Sequence, residues 1–201
     1  MAGAVLENFP QEVEAAVSVC KYMAFGPLYN GSVRFKDYAV MADSLFFQTL
    51  GIEVLRGDPL HELQQKDVVF LSDRLAQKMF GDEDPVGKVI NYNKQLQLTV
   101  KGIYAALPEN STMNPEAVIS IVSAWSRDWA EYSWEGGDSF FQYIRFRPGV
   151  KVDVEKFNAR LETVIHNYLP QDGKDNSSYT SIVKPLRDVY PVSYTHLRAH
   201  E

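Results

Sequence analysis

The segment from Gly81 to Lys88, "GDEDPVGK", is the part of the chain most like a nucleotide-binding loop. A phosphate loop places four residues between its glycines and follows its lysine with Ser or Thr, whose hydroxyl binds magnesium. Here five residues separate Gly81 from Gly87, and Val89 follows the lysine. The segment also leads into a strand-like run, which offers no helix N-terminus to a phosphate. The sequence therefore predicts no nucleotide cofactor.

Metal-binding and catalytic patterns are also incomplete. His61-Glu62 begins like a zinc-protease helix, but no second histidine follows four residues after the first. The acidic residues 82–84 lack the alternating oxygen ligands, central glycine and distal glutamate of a calcium loop. There is no Gly-x-Ser-x-Gly motif, and Cys20 has no base that the sequence assigns to it. We therefore predict no metal site, no catalytic residues and no enzyme activity; a hydrolase would need a nucleophile and a base that only the fold brings together.

All three tryptophans fall in one short stretch, at Trp125, Trp129 and Trp134. The first two are four residues apart and would share one face of a helix. They could pack into the core, as large aromatic residues usually do, or form part of a partner surface, where tryptophan is enriched. The sequence favours the core for this group and leaves the surface as the alternative.

Composition excludes several classes of function. The chain has 201 residues, 45% of them hydrophobic, a net charge of -6 and a pI near 5.3. An acidic chain of this kind is a poor partner for nucleic acid or for anionic lipid, both of which need a basic surface. No apolar run is long enough to cross a bilayer, and no signal peptide pattern is present at the start. The single cysteine excludes an intrachain disulfide.

The elements are clearest in residues 67–104. Residues 68–71 form an apolar run typical of a buried strand, and Ser72 can cap a following helix that carries an apolar face. Gly81 should end this helix with a positive φ, and Phe80 should fill the core. Two extended runs, 88–92 and 96–104, form a hairpin around a turn at Asn93-Lys94.

Helices and strands are predicted on either side of this segment. A helix should start near Pro10 and carry Val13, Ala16 and Val17 on one apolar face. Asn30-Gly31 marks a hairpin turn. We further predict helices at 45–50, 123–132 and 154–169, and strands at 19–25, 32–41, 117–122, 139–147 and 179–183.

The order and spacing of several motifs resemble one family. "LSDRLAQKMFGDEDPVGKVI" followed by "TVKGIYAALPENS" is similar to the extracytoplasmic core domain of MacB-type (FtsX-like) ABC transporter permeases. In that family a helix ends in Phe-Gly, a Pro-x-Gly-Lys turn follows, and a strand closes near a glycine. Three further segments fit the same pattern: "FPQEVEAAV", "DSLFFQTLGIEVLRGDPL" and "YIRFRPGVKVDVEKFNARLETVI".

The resemblance implies an α+β fold with two lobes. Residues 1–42 and 139–191 would form a membrane-proximal lobe, a split βαβ unit similar to the porter modules of efflux pumps. Residues 43–138 would form an inserted distal α+β lobe. The last ten residues, 192–201, depart from the family and resemble translated adapter sequence, so we expect them to be non-native and exclude His196 and His200 from functional reasoning.

The resemblance also implies a function. The domain would lie on the periplasmic or extracellular side of the bacterial inner membrane, with flanking transmembrane helices outside this fragment. It would transmit ATP-driven motion from a cytoplasmic ATPase, with which it communicates indirectly, to a substrate or partner protein. The permease would work as a homodimer or as a pair. The alternative is a free-standing periplasmic module for a small ligand or lipid, which would need a sizeable apolar pocket.

A domain of this kind without catalytic residues must act by contact. The loops at 107–115 and 132–138 combine Gly, Pro and polar residues, a composition typical of exposed contact surfaces. We therefore predict that the partner surface includes Glu109, Asn110 and Trp134. Trp134 is the tryptophan expected to be exposed, because it stands beside Gly136-Gly137.

Overall fold

The computed structural model describes residues 2–20, 26–108, 110–111, 113–129, 140–168 and 182–188. The chain divides into two compact units, Met1–Arg147 and Pro148–Glu201. Among the described residues, the first unit consists of one large mixed sheet with short helices, and the second contains one long helix and a short 3₁₀ turn. The predicted α+β class is confirmed.

The first unit contains ten strands and five helices among its described residues. In chain order they are α1 (Ala2–Asn8), β1 (Val13–Cys20), β2 (Leu28–Asn30), β3 (Val33–Phe35), β4 (Ala39–Ala42), α2 (Phe46–Leu50), β5 (Val54–Arg56), α3 (Pro59–Glu62), β6 (Val68–Ser72), α4 (Asp73–Phe80), β7 (Val89–Tyr92), β8 (Leu96–Tyr104), β9 (Ala117–Ser120), α5 (Val122–Trp125) and β10 (Phe140–Phe146). The second unit contains α6 (Val154–Tyr168) and a 3₁₀ turn at Leu186–Asp188.

The strands form one sheet in the order β10-β1-β4-β9-β6-β8-β7-β2-β3, with β5 paired to the end of β8. The pairs β4–β9 and β6–β8 are parallel, and the other pairs are antiparallel. Strands β4, β6 and β9 are buried along their whole length, as expected for strands covered on both faces.

Each face of the central strands contributes to its own core cluster, because successive side chains of a strand point to opposite faces. On the α4 side, Val69 and Leu71 of β6 pack with Leu75 and Met79 of α4. On the α2 side, Phe70 packs with the other cluster, and its ring lies 5.4 Å from that of Phe47. We name the two faces of the sheet the α4 side and the α2 side, after the helix whose residues join the cluster on each face.

The predicted segment 67–104 is confirmed. The Leu75 amide donates to Ser72 Oγ at 2.9 Å, which makes Ser72 the N-cap of α4. Gly81 follows the helix with φ of 60°. Asn93 and Lys94 both have positive φ, 52° and 59°, in the turn of the β7–β8 hairpin. Phe80 is half-buried against the core of the α4 side, so it fills that core only in part.

The predicted helix near Pro10 is wrong, because Val13–Cys20 is a strand and the helix of this region is α1, Ala2–Asn8. Strand β1 lies between β10 and β4 and is buried on both faces. Its apolar residues therefore do not alternate, and Val13, Ala16 and Val17 mimic the spacing of a helix face. Of the predicted strand 19–25, residues 19 and 20 lie at the end of β1, and residues 21–25 lie outside the described residues.

Other boundaries differ more modestly. The predicted strand 32–41 is two strands, β3 and β4, and the polar connector before Val68 contains β5 and α3. Helix α5 ends at Trp125, well short of residue 132. Of the predicted strand 179–183, only residues 182 and 183 are described, and neither is in a strand. Residues 192–201 lie outside the described residues.

In the second unit, α6 begins where the sequence predicts. The Lys156 amide donates to Asp153 Oδ1 at 3.2 Å, and this bond lowers the pKa of Asp153. Phe157, Leu161 and Ile165 form the buried face of the helix.

The division into a membrane-proximal lobe and an inserted lobe at 43–138 remains a prediction. Strands from both sides of the boundary at residue 43 belong to the same sheet, since β4 pairs with β9 from Ala39↔Ala117 to Ala42↔Ser120.

Candidate functional site

The loop of residues 105–116 joins β8 to β9 and contains the first predicted contact segment, 107–115. Both strands are neighbours of β6, so the loop passes over the end of β6 at Ser72, where α4 begins. All of its residues except 109 and 112 are described. The end of β6 and the start of α4 therefore form the base on which this loop is held.

A buried carboxylate fixes the base of the loop. Glu116 is only 8% exposed, and its carboxylate accepts hydrogen bonds from Ser72 Oγ and from Arg74 Nε and Nη2. The backbone of Glu116 bonds on both sides, accepting from the Ser72 amide at 2.8 Å and donating to the Tyr38 carbonyl at 2.7 Å. A buried charge is tolerated only when it is paired and hydrogen-bonded, and Glu116 meets both conditions.

Tyr104 ties the loop to the sheet from the other end. Its hydroxyl donates to the Pro115 carbonyl at 2.6 Å, and its ring lies 5.1 Å from that of Phe47 in the core of the α2 side. Burial, and next the negative charge of Glu116, raises the pKa of Tyr104 well above its ordinary value. The phenol therefore stays neutral and keeps its hydrogen bond over the whole physiological pH range.

Apolar contacts and a second carboxylate complete the anchor. Met113 is buried in the core cluster of the α2 side, and Leu107 packs against the same cluster. The amide of Ala106 donates to Asp73 Oδ1 at 3.0 Å. Polar bonds and apolar packing thus hold the loop at several points along its length.

The tip of the loop is exposed at its described residues. Pro108 and Asn110 are exposed, and the Ser111 amide closes a turn by donating to the Pro108 carbonyl at 2.9 Å. Of the three predicted contact residues, the structure places only Asn110. Glu109 and Trp134, with the whole of the predicted loop 132–138, lie outside the described residues.

Trp125 and Trp129 pack against the core of the α4 side, as the sequence favours, and both remain half-buried. They do not share a helix face, because α5 ends at Trp125. The Arg127 guanidinium lies 5.8 Å from the Trp129 ring and pairs with Asp67 at 2.9 Å. This arrangement ties the end of α5 to the turn before β6.

The glycine and acid residues after α4 form an ordinary turn. The Gly87 amide donates to the Val100 carbonyl at 2.8 Å, so this amide is already used in a hydrogen bond to β8. Asp84 forms a two-fold ion pair with Arg56 at 2.8 and 2.9 Å, and this bond lowers the pKa of Asp84. Among the described residues, no group of three His, Cys, Asp or Glu side chains is arranged to hold a metal ion.

Two depressions of the first unit could admit a ligand, and both open widely to solvent. One of about 470 Å³ is lined by Glu14, Phe47, Asp58, Leu60 and Arg145 among others. The other, of about 480 Å³, lies beside the acidic turn and includes Asp73 and Arg56. Neither is the enclosed apolar pocket that a small-ligand module would need.

The sequence did not identify the network around Glu116. Glu116 is far from its partners in the chain, 44 positions after Ser72. One signal was present: Glu116 is a lone acid directly before the apolar run 117–122. A carboxylate beside a buried strand requires a partner, so this position indicates a buried ion pair or hydrogen bond.

The fold and the loop define a class: an α+β domain that presents an exposed loop on a firmly anchored base. No helix among the described residues combines the length and the apolar character needed to cross a bilayer. The chain belongs to the MacB-like periplasmic core domain family, whose model matches residues 2–164. It is therefore a periplasmic domain of the type found in MacB/FtsX-like permeases.

Solved structures agree with this assignment at the level of the fold. A domain described as belonging to a permease of Porphyromonas gingivalis is 21% identical, with a TM-score of 0.71 over 94% of this chain and 83% of that one. The periplasmic region of MacB from Actinobacillus actinomycetemcomitans is 16% identical, with a TM-score of 0.62 over 82% of this chain and 72% of that one.

The extracellular domain of the noncanonic ABC-type transporter YknZ from Gram-positive bacteria is 14% identical, with a TM-score of 0.55 over 83% of this chain and 82% of that one. A comparison with curated protein sequences gave no match.

Proposed function

We propose that this domain is the extracytoplasmic contact element of an ABC transporter permease and passes ATP-driven motion to a substrate or partner protein outside the membrane. The proposal rests on the structure of the loop 105–116, which combines an exposed tip with a base fixed by Glu116 and Tyr104. A firmly held base lets the tip move with the domain rather than independently of it.

The proposed mechanism is contact without catalysis. A domain can respond to, or drive, a two-state transporter only if it binds its partner with different affinity in the two states. Exposed loops on a rigid scaffold are the usual location of such contacts. Asn110 lies at such a position, and Glu109 and Trp134 are proposed to join it.

Family membership supports the wider context of the proposal. The ATPase would act from the cytoplasmic side and reach this domain only through membrane helices that flank it in the full-length protein. The permease would operate as a homodimer or as a pair of related subunits. The partner that the loops contact would be a periplasmic protein or the transported substrate itself.

The test uses the intact permease with Glu109→Gln, Asn110→Ser and Trp134→Ala combined. The matched control is Asp82→Asn, an exposed acid on the turn after α4. We expect the combined variant to fold and to keep basal ATPase activity while transport or partner capture falls, and the control to behave as wild type. Unchanged transport in the combined variant would place the contact surface elsewhere.

A further inference from the structure

One face of the outer strands is open on the α2 side of the sheet. Strands β8, β7, β2 and β3 bury Leu98, Ile90, Leu28 and Phe35 in the core of the α4 side. The residues that alternate with these point the other way, and several are exposed, among them Gln97, Arg34 and Val89. This face is therefore a surface that side chains of the sheet offer to solvent.

Four side chains form one transverse row on this face. The strand pairing places Gln97 opposite Asn91, Asn91 opposite Tyr29, and Tyr29 opposite Arg34. Neighbouring strands are about 4.8 Å apart, so the row extends over roughly 14 Å. Lys94, in the β7–β8 turn, holds its Nζ 5.4 Å from the centre of the Tyr29 ring. Two amides, an aromatic ring and two cations thus stand together.

The charge of this surface is opposite to that of the chain. The four strands contain Arg34 and Lys101 but neither Asp nor Glu, whereas the whole chain carries a net charge of -6. Lys101 pairs with Glu62 at 3.4 Å, which leaves Arg34 and Lys94 as the cations that flank Tyr29. An anionic ligand would be attracted here, against the net negative charge of the whole chain.

The amides narrow the ligand class further. Asn and Gln side chains both donate and accept, which suits the hydroxyl groups of a sugar. Gln97 is exposed and Asn91 is half-buried. The Tyr29 ring offers an apolar platform with a polar edge, on which a sugar ring can lie once Lys94 moves aside.

We propose that this row, Gln97–Asn91–Tyr29–Arg34 with Lys94, binds an acidic glycan whose chain crosses the strands. Its sugar rings stack on Tyr29, its hydroxyls bond to the two amides, and its carboxylates pair with Arg34 and Lys94. An acidic peptide fits less well, because extended peptides use a free strand edge or side-chain pockets. The face of a sheet offers neither a free strand edge nor side-chain pockets. Sheet faces do bind oligosaccharides in other folds.

The test is calorimetric titration of the 201-residue chain with the tetrasaccharide of galacturonic acid. Maltotetraose is the neutral counterpart, and a tetraglutamate peptide and vesicles of phosphatidylglycerol are the other anionic probes. We expect saturable binding of the acidic tetrasaccharide that weakens as salt rises, and binding at least about tenfold weaker for each of the other three probes, the scale of one lost charge-assisted contact.

Two variants locate the site, and one controls for charge. Arg34→Gln and Tyr29→Leu should each weaken binding about tenfold or more while the thermal transition is unchanged. Lys66→Gln removes an equal charge from an exposed position outside the row and should bind as wild type. Equal binding of the neutral sugar, the peptide or the vesicles would overturn the proposal, as would no binding of the acidic sugar or wild-type affinity in both row variants.

Discussion

Replacing Ser72 by alanine should loosen the base of the contact loop, because one hydroxyl serves two elements. It accepts from the Leu75 amide as the cap of α4 and donates to the buried carboxylate of Glu116. Loss of a helix cap costs about 1 kcal/mol. Loss of a donor to a carboxylate adds roughly 1.5 kcal/mol, because the bonds from Arg74 remain. Together we expect about 2–3 kcal/mol of lost unfolding free energy, or roughly 4–12 °C in Tm.

The matched control is Ser120→Ala. Ser120 is buried as completely as Ser72 and its hydroxyl also bonds twice, but only to neutral groups: it donates to the Leu63 carbonyl at 2.7 Å and accepts from the Val122 amide at 3.3 Å. Its loss should cost about 1 kcal/mol. Chemical unfolding followed by circular dichroism measures both values, and hydrogen exchange of the Ala106 and Ser111 amides reports on the loop. Exchange should rise in Ser72→Ala and stay close to wild type in Ser120→Ala.

A double-mutant cycle separates the bond between Ser72 and Glu116 from the helix cap. Glu116→Gln in the wild type and in Ser72→Ala should give a coupling free energy of about 0.5–2 kcal/mol, since the two side chains are in direct contact. If Ser72→Ala costs no more than Ser120→Ala, or if the coupling is zero, the carboxylate network does not hold the loop.

Four further predictions concern stability. Phe80→Ala should cost about 2 kcal/mol, less than the roughly 3–5 kcal/mol of a fully buried Phe, because Phe80 is half-buried; unfolding curves would show a value near zero if it packs against nothing. Gly102→Ala should cost about 3 kcal/mol or more, because the new Cβ would overlap Cε1 of Phe70 and crowd the Arg56 carbonyl, and a stability close to wild type would contradict this close approach. Because the pKa of Tyr104 is raised in the folded state, the unfolded chain loses the phenol proton first as the pH rises, so this contribution to stability is full below about pH 10 and falls above it. The unfolding free energy of Tyr104→Phe should therefore fall less steeply with alkaline pH than that of the wild type. Identical slopes in the two proteins would refute the raised pKa. Deleting residues 192–201 should change Tm by no more than about 2 °C, and a much larger drop would show that these residues pack natively.

Local signals in the sequence predicted the centre of the fold well. The cap at Ser72, the positive φ at Gly81 and the turn at Asn93-Lys94 each depend on residues within a few positions of one another. The strands and the helix that these signals delimit, from β6 to β8, therefore lie where we predicted them.

Prediction from the sequence failed where burial on both faces of a strand removes the alternation of apolar and polar residues, as in β1. It also failed where a site is assembled from distant segments. Glu116 meets Ser72 only because the sheet places β9 beside β6, and Tyr29 meets Asn91 only because β2 pairs with β7. No spacing rule connects such positions. The resemblance to the family gave the class of protein but not the residues that anchor its loop.

If this domain acts by contact, the loop tip should touch a partner in one state of the transporter more than in the other. The direct measurement is site-specific photo-crosslinking from position 110 in the full-length permease, with and without ATP, and with position 82 as the control. We predict a crosslink to a periplasmic protein or substrate at position 110 whose yield changes at least several-fold with ATP, and none at position 82. Equal yields in both states, or equal yields at both positions, would show that the loop tip is not a state-dependent contact.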